Sequence, residues 1–294
     1  MKTEDYPALF AAADRATSVA RKTHFALFLV NAGAAYLAAL FTGLASVTPA
    51  PRSDGFSYAA AVLLAVAVIV LWVSRARRDE HAWFDCRAIA ESLKSSTWRF
   101  MMRSVPFAQT DGAAARHEFA EQAGHIRAAR PDVAALLTRH LDPARAEVTP
   151  FMLETRESGL HARRARYLQD RVLDQRGWYQ MKSRDADRMR GFYFWLVAIL
   201  QVAAVGVAVA RWQPFGLNVM GLVVALTASL TAWTQARRHS ELARSYALAA
   251  QELDELRPRV ELADTEARLG EAVAAVETAV SREHTMWMAR ASRR

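Results

Sequence analysis

Cysteine is almost absent from this chain of 294 residues, in which Cys86 stands alone. A single cysteine excludes a disulfide within the chain and is typical of a protein from a reducing compartment. Lysine is scarce as well, since the lysines are Lys2, Lys22, Lys94 and Lys182, whereas arginine is abundant. We interpret that excess, together with the many alanines, as coding bias rather than chemistry.

The sequence patterns of nucleotide binding and of catalysis are also missing. The chain has neither a G-x-x-x-x-G-K-[ST] phosphate loop nor a G-x-G-x-x-G turn. His117 and Glu118 are not followed by a histidine at zinc-ligand spacing, and no histidine stands near Cys86 at metal-ligand spacing. We therefore predict that the protein is not an enzyme and uses no cofactor or metal. A membrane enzyme that uses Glu283 and His284 at the interface remains an alternative.

Acidic and basic side chains are absent from four long apolar stretches. Phe25–Val47 pairs with Phe56–Val73, and Phe192–Ala210 pairs with Phe215–Trp233 across a short link. Each stretch is long enough for a helix that crosses a ~30 Å hydrocarbon core, where only internally hydrogen-bonded backbone is stable. A buried hairpin of a soluble domain is the alternative, but its helices would keep a polar stripe. We predict an all-α membrane protein with two transmembrane hairpins, hence four transmembrane helices, and long cytoplasmic helical extensions.

Arginines cluster on one side of these hairpins. They follow the first hairpin and flank the second on both sides, at Arg75, Arg77, Arg78, Arg184, Arg188, Arg190, Arg237 and Arg238. The positive-inside rule then places both termini and residues 74–191 in the cytoplasm. Beside membrane spans, the net charge of +8 indicates anionic lipid as the partner, so we predict binding to the lipid bilayer and not to nucleic acid.

Helical periodicity extends beyond the spans in the first half of the chain. Residues 1–24 predict a short amphipathic helix ahead of span one. Residues 79–103 predict a continuation of span two, and residues 113–129 and 131–141 predict two short helices. The predicted apolar stripe over 79–103 comprises Trp83, Cys86, Ala90, Leu93, Thr97 and Met101.

In the second half, Thr149 and Pro150 form a helix start. From there we predict about 40 residues of helix running into span three, with Gly177 and Gly191 as its weak points. Span four is predicted to continue to about Leu256, to turn at Arg257-Pro258 and to return over residues 259–290. The predicted heptad seam of the returning helix comprises Leu262, Leu269, Val273, Val276, Val280 and Trp287.

The two hairpins indicate a duplication. Ala76-Arg77-Arg78 and Ala236-Arg237-Arg238 follow them at the same point, and Ala90–Leu93 matches Ala250–Leu253 at the same offset. Because the helix start at Thr149 begins the second half, we predict two domains, 1–148 and 149–294.

Few polar side chains occur within the spans. Thr227 and Thr231 share a face of span four, beside a face of small residues formed by Gly221, Ala225 and Ser229. Such residues serve close packing of helices or line a pore, and both readings stay open. The candidate pore or packing residues are Asn31, Thr42, Gln201, Thr227 and Thr231.

Two groups of residues resemble motifs of one family. The first resembles the motif after the first hairpin of SLATT proteins, the SMODS- and SLOG-associating two-transmembrane effectors: Trp83, Arg87, Glu91, Lys94 and Trp98. The second resembles the lead-in and C-terminal signature of the type 1 form: Tyr167, Arg171, Gln175, Trp178, Tyr179, Glu283, His284 and Trp287. Residues 13–18 resemble the type 3 lead-in. The chain therefore resembles a SLATT type 3 domain followed by a type 1 domain, also called DUF4231.

The resemblance implies an effector of the bacterial inner membrane in anti-phage conflict systems. It implies that the protein forms a pore or disrupts the membrane when a partner makes or senses a nucleotide second messenger. Because four short spans make too small a bundle to enclose a water-filled pore, we also predict a homo-oligomer. The matched residues would form a cytoplasmic interaction face toward another part of the protein or another subunit. A non-conducting membrane scaffold or sensor that binds a cytoplasmic partner is the alternative function.

Overall fold

The chain is helical throughout the part that the structure describes. The structure is a computed structural model that describes residues 1–211 and 219–291, with side chains up to residue 281. No strand occurs in these ranges, which confirms the predicted all-α class. The helices are α1 (Ala8–Val47), α2 (Arg52–Arg77), α3 (Asp79–Met101), α4 (Gly112–Ala128), α5 (Ala134–His140), α6 (Pro150–Glu157), α7 (Leu160–Tyr167), α8 (Asp174–Val209), α9 (Val219–Arg237), α10 (His239–Glu261) and α11 (Glu266–Ala291).

Three shorter pieces complete this inventory. Thr3–Asp5 and Pro131–Val133 are 3-10 turns, and Leu168–Leu173 is a π-helical turn, here called the π segment. The predicted short helices at 113–129 and 131–141 correspond to α4 and to the second 3-10 turn with α5.

Two compact units make up the molecule. The span unit comprises Lys22–Asp79 and Arg184–Ala243, and the helical body comprises Met1–Arg21, Glu80–Ser183 and the chain from Arg244 on. Each unit therefore draws residues from both halves of the sequence. The predicted domain boundary between residues 148 and 149 stays a prediction.

Among the described residues, four helical stretches are long and apolar enough to cross a membrane. They contain the predicted spans, apart from Ala210, which follows the end of α8, and residues 215–218, which lie outside the described residues. Only 0–11% of the residues in each apolar window are buried, and Trp72, for example, is 74% exposed. Apolar surface of this extent is stable against lipid or another chain rather than water. The chain is thus a multi-pass membrane protein.

Small and aromatic side chains pack the span unit. Ala34, Ala38 and Ala60 are buried there, as expected where helices approach closely. Trp233 Nε1 donates to the Tyr193 hydroxyl over 3.0 Å. Aromatic rings with a polar edge are typical of a membrane–water interface, so this contact suits one rim of the spans.

The predicted short N-terminal helix is the first part of a longer one. α1 runs without a break from Ala8 to Val47 and so joins the amphipathic stretch to span one. No glycine or proline interrupts residues 8–32, so nothing in the backbone ends the helix there. The predicted stripe is confirmed, since Leu9, Ala13, Ala16 and Ala20 are all buried.

The predicted long helix from Thr149 to Gly191 is wrong. Thr149 does cap α6, its hydroxyl accepting from Met152 N over 3.3 Å, but that helix ends at Glu157. Ser158 and Gly159 are extended and separate α6 from α7. The carbonyl of Ser158 instead accepts from Arg163 Nη1 over 2.7 Å, which compensates for the broken helix. Gly177 and Gly191, the predicted weak points, lie inside helix α8.

The turn predicted at Arg257-Pro258 lies further along the chain. Pro258 sits inside the last turn of α10, where it removes only one backbone donor, and α10 ends at Glu261. Thr265 then starts α11, its hydroxyl accepting from Arg268 N over 3.3 Å. Leu262 therefore lies in the turn and is 76% exposed, contrary to its predicted seam position. Leu269, Val273, Val276 and Val280 are buried as predicted.

The predicted continuation of span two is helical, and its helix is broken at one residue. Arg78 has φ 51° and ends α2, and α3 begins at Asp79. Arg238, at the equivalent point of the second hairpin, has φ 48° and stands between α9 and α10. α3 and α10 each have 23 residues, in agreement with the predicted duplication. A left-handed residue other than glycine costs about 1–2 kcal/mol.

Buried arginines hold the C-terminal end of α3 within the helical body. Arg156 donates to the carbonyl oxygens of Phe100, Phe107 (3.0 Å) and Gln109 (2.6 Å). It is 4% exposed, and its burial, with smaller contributions from nearby arginines, lowers the pKa of its guanidinium to about 10. A planar fork with five donors satisfies carbonyls in several directions at once, which a lysine ammonium cannot do.

We expect Arg156→Lys to lower the free energy of unfolding by about 2–4 kcal/mol, because buried carbonyls lose their donors. Thermal unfolding of the purified full-length protein in detergent, followed by circular dichroism, measures the loss. Arg164→Lys is the matched control, since Arg164 donates to one carbonyl only, that of Ala263 at 2.8 Å. Equal melting temperatures for the two variants would contradict this capping role.

Candidate functional site

Two of the predicted motifs meet inside the helical body. Lys94 and Trp98 lie on α3, and Tyr167, Arg171 and Gln175 lie along α7, the π segment and the start of α8. All five contribute to one polar network, here called the buried network. The first set comes from the type 3-like motif and the second from the type 1-like lead-in, so residues far apart in sequence become neighbours.

An ion pair between Arg171 and Glu277 forms the centre of the buried network. Arg171 Nη2 and Nε donate to the two carboxylate oxygens of Glu277 over 2.6 and 2.9 Å. Their side chains are only 2% and 0% exposed. Burial alone would lower the pKa of Arg171, but the charge and hydrogen bonds of Glu277 outweigh it and raise the pKa above its ordinary value. The Arg171 guanidinium therefore stays charged at physiological pH.

Aromatic side chains close the network on one side. The Tyr167 hydroxyl donates to Glu277 Oε1 over 2.9 Å, and the Trp98 ring lies edge-on to Tyr167 at 5.5 Å. Trp98 Nε1 in turn donates to the Tyr6 hydroxyl over 3.2 Å. Burial raises the pKa of Tyr6 to about 12 and that of Tyr167 well above its ordinary value. Both phenols therefore stay neutral and act as hydrogen-bonding groups.

Gln175 joins the two cations of the network. Its Oε1 accepts from Arg171 Nη1 over 3.3 Å and from Lys94 Nζ over 3.4 Å. Burial, and then the charge of Arg171, lower the pKa of Lys94. A polar cavity of about 220 Å³ opens beside these groups, and Asp14 and Asp174 line it as well. Its volume is below the ~300–1,000 Å³ of most ligand pockets, so it suits water or a small ion better than a nucleotide.

The π segment carries Arg171 and Val172, both buried. A π turn holds one residue more per turn than an α-helix and is frequent at functional sites. Here it connects α7 to α8 without a loop. The chain therefore stays helical at the point where Arg171 donates to Glu277. Sequence spacing alone gave no sign of this turn.

The other residues of the predicted interaction face make further contacts beside those of the buried network. Trp83 stacks on Phe84 at 4.9 Å. Trp178 and Tyr179 contact Tyr246 of α10 at 5.4 and 5.9 Å. Arg87 and Glu91 are half-buried on α3. Three further residues of that face have side chains outside the described residues: Glu283, His284 and Trp287.

Within the span unit, the candidate pore or packing residues behave differently from one another. The hydroxyls of Thr42, Thr227 and Thr231 donate to carbonyls four residues earlier in their own helices, over 2.8–2.9 Å. Asn31 is half-buried and Gln201 is exposed. These positions do not decide between packing and pore lining, and both readings remain predictions.

Residues for metal or nucleophilic chemistry do not come together in the parts that the structure describes. Among those residues, no group of three His, Cys, Asp or Glu side chains could hold a metal ion. Cys86 is buried, and its burial raises the pKa of the thiol to about 11, which disfavours the reactive thiolate.

Sequence reasoning missed Glu277 and Tyr6. Glu277 sits next to the apolar seam positions Val276 and Val280, where a carboxylate needs a buried partner. Arg171 flanks the equally apolar stripe around Val172. Each of the two buried stripes thus carries one charged residue of opposite sign, Glu277 or Arg171. This pattern is the signal from which their pairing could have been predicted.

We expect Glu277→Gln to lower the free energy of unfolding by about 3–5 kcal/mol, since it leaves Arg171 buried without a counter-charge. Thermal unfolding in detergent, followed by tryptophan fluorescence, checks this. Asp264→Asn is the control: its pair with Arg268 is over 60% exposed on both sides, and its loss should change stability by less than about 1 kcal/mol.

The apolar double variant Arg171→Met, Glu277→Leu should be more stable than Glu277→Gln, because no charge is then left unpaired. A double variant no more stable than Glu277→Gln would argue against charge burial as the cause.

Comparison with known proteins agrees with this architecture. Residues 7–164 match the SMODS and SLOG-associating 2TM effector domain 3, and residues 167–287 match the SMODS and SLOG-associating 2TM effector domain 1. Neither a curated protein nor a solved structure gives a significant match. SLATT domains are associated with conflict and anti-phage effector systems and are not known as enzymes. With its two matches covering most of the sequence, the chain belongs to the SLATT family and carries a type 3 domain followed by a type 1 domain.

Proposed function

We propose that this protein is a membrane effector of a bacterial anti-phage system, without enzymatic activity of its own. A nucleotide-signalling partner triggers it, and it then assembles with further copies into a pore or disrupts the inner membrane. The observation that carries this proposal is the exposed surface of the spans. In the apolar windows of spans three and four, 0% of the residues are buried within the chain.

That surface is available to lipid and to other copies of the chain alike. Four spans in one subunit make too small a bundle to enclose a water-filled pore, so conduction requires several copies. Gly221, Ala225 and Ser229 on α9 offer a face of small residues on which a second helix can approach closely. A homo-oligomer is therefore part of the proposal.

A non-conducting scaffold or sensor is the second candidate. It is favoured by the threonine hydroxyls of the spans, which donate to carbonyls of their own helices. Hydroxyls bonded in this way have less capacity left to line an aqueous path. In this alternative, the helical body binds a partner and the spans only anchor it.

Release of a fluorescent dye from liposomes distinguishes the two candidates. We expect purified protein to release dye when a cyclic mono-, di- or trinucleotide, or the partner that senses it, is added. Ala225→Leu should change assembly and release, because the larger side chain obstructs the small-residue face. Val224→Leu is the matched control on the neighbouring position, which is 49% exposed.

Two results would count against the effector. If no nucleotide or partner produces release from liposomes that contain correctly inserted protein, the scaffold is the better account. If the wild type is monomeric in nanodiscs under conditions of release, the oligomer is excluded.

The orientation is tested by cysteine labelling. We expect a cysteine introduced at Ser53, in a Cys86-free background, to react with an impermeant maleimide in intact spheroplasts. The turn around Ser53 should face the periplasm because the arginines cluster at the other end of the hairpin. A cysteine in place of His81, which is exposed on α3, is the control and should react only after lysis. The reverse pattern would overturn the cytoplasmic assignment of both termini.

A further inference from the structure

The backbone is left-handed at the same point in both hairpins. Arg78 (φ 51°) stands between α2 and α3, and Arg238 (φ 48°) stands between α9 and α10. At each break the next helix begins at the following residue, without any loop. Arg103, with φ 53°, differs because a non-helical stretch follows it and the left-handed residue merely ends α3.

Arginine is a poor choice for such a position and a good choice for a helix. The left-handed conformation crowds its Cβ, whereas arginine ranks among the better helix formers. Glycine would adopt the left-handed conformation without this crowding. Its occurrence in both repeats, each time with arginine, indicates a conformation that the surroundings impose and that the residue itself disfavours.

Local contacts hold each break. In the first repeat, Arg77 Nε donates to the Asp79 carboxylate across the break over 2.9 Å. In the second, Arg238 Nη1 lies 3.8 Å from the Glu241 carboxylate across the break. The Arg237 guanidinium, at the position equivalent to Arg77, lies over the rings of Phe25 and Trp233 at 4.2 and 4.4 Å. All of these are exposed or half-buried side chains, so their contacts can be exchanged for others.

From this pattern we propose that Arg78 and Arg238 form a pair of hinges that set the state of the effector. In the resting state both residues are left-handed and each span is separate from the helix that follows it. When the local contacts are released, both residues become right-handed, and α2–α3 and α9–α10 each become one continuous helix. The continuous state is the one that permeabilises the membrane, a step that rests on the proposed function.

Glycine and alanine variants test the hinges, since both remove the arginine charge and differ only in backbone preference. Arg78→Gly with Arg238→Gly should stabilise the broken state, and Arg78→Ala with Arg238→Ala should favour the continuous one. The difference in helix preference is worth roughly fivefold in the equilibrium at each position. Hydrogen exchange of the full-length protein in nanodiscs reads the hinge directly, because the first amides of α3 and α10 gain helical partners only in the continuous state.

We expect these amides to exchange about fivefold more slowly, or slower still, in the double alanine variant than in the double glycine variant. Dye release without a trigger should rise above wild type in the alanine variant and fall below it in the glycine variant. Arg103→Gly and Arg103→Ala are the controls and should release dye equally, since Arg103 does not stand between a span and the helix that follows it.

Equal exchange in the two double variants would overturn the hinge. If the wild type releases dye and the two double variants differ in hydrogen exchange but release dye equally, the hinge is not coupled to permeabilisation. A wild type that releases no dye under any condition would refute the proposed function and the coupling, and the exchange rates would still decide whether the hinge exists.

Discussion

The helical body depends on one buried ion pair. Arg171 and Glu277 are almost fully enclosed, and neither charge could be buried without the other. Their hydrogen bonds to each other, to Tyr167 and to Gln175 satisfy the polar groups that a low-dielectric interior would otherwise penalise. The apolar core then forms around them, with buried residues contributed by α3, α4, α6, the π segment, α10 and α11. The pair fixes which face of the lead-in to span three meets the returning helix α11, and so sets the register of the body.

Arginine has a larger structural role than its interpretation as coding bias allowed. Arg156, Arg163 and Arg171 are nearly inaccessible to solvent, and each uses the guanidinium fork in several directions. Arg163 donates to the carbonyls of Arg156 and Ser158 and to the Glu266 carboxylate. At several helix ends in this protein, an arginine side chain from another segment donates to backbone carbonyls that have no partner within the helix. Lysine could not replace these residues, because its single ammonium group lacks the planar spread of donors.

The two SLATT domains use the same local plan with different contacts. In each, an apolar hairpin ends in an Ala-Arg-Arg sequence whose last arginine is left-handed, and a helix of 23 residues begins at the next residue. An ion pair crosses the break in each domain, Arg77 with Asp79 in the type 3 domain and Arg238 with Glu241 in the type 1 domain. Repeats that have kept a disfavoured backbone conformation while exchanging its supports indicate that the conformation matters more than any single contact. Both domains also contribute to the buried network, so neither domain completes the helical body alone.

The sequence by itself determined the features that local chemistry controls. Four apolar stretches suffice to define the spans, because a helix in lipid satisfies its own backbone hydrogen bonds whatever its neighbours are. The Thr149 cap and the buried stripes of α1 and α11 were likewise predictable. Only the tertiary structure decided where helices break, since the gap at Ser158-Gly159 is stabilised by Arg163, and Pro258 fits inside α10. The same holds for the candidate site: Lys94, Trp98, Tyr167, Arg171 and Gln175 were identifiable, but the partner Glu277 lies 106 residues from Arg171. Periodicity identifies which face of a helix is buried, whereas only packing selects the groups that meet there.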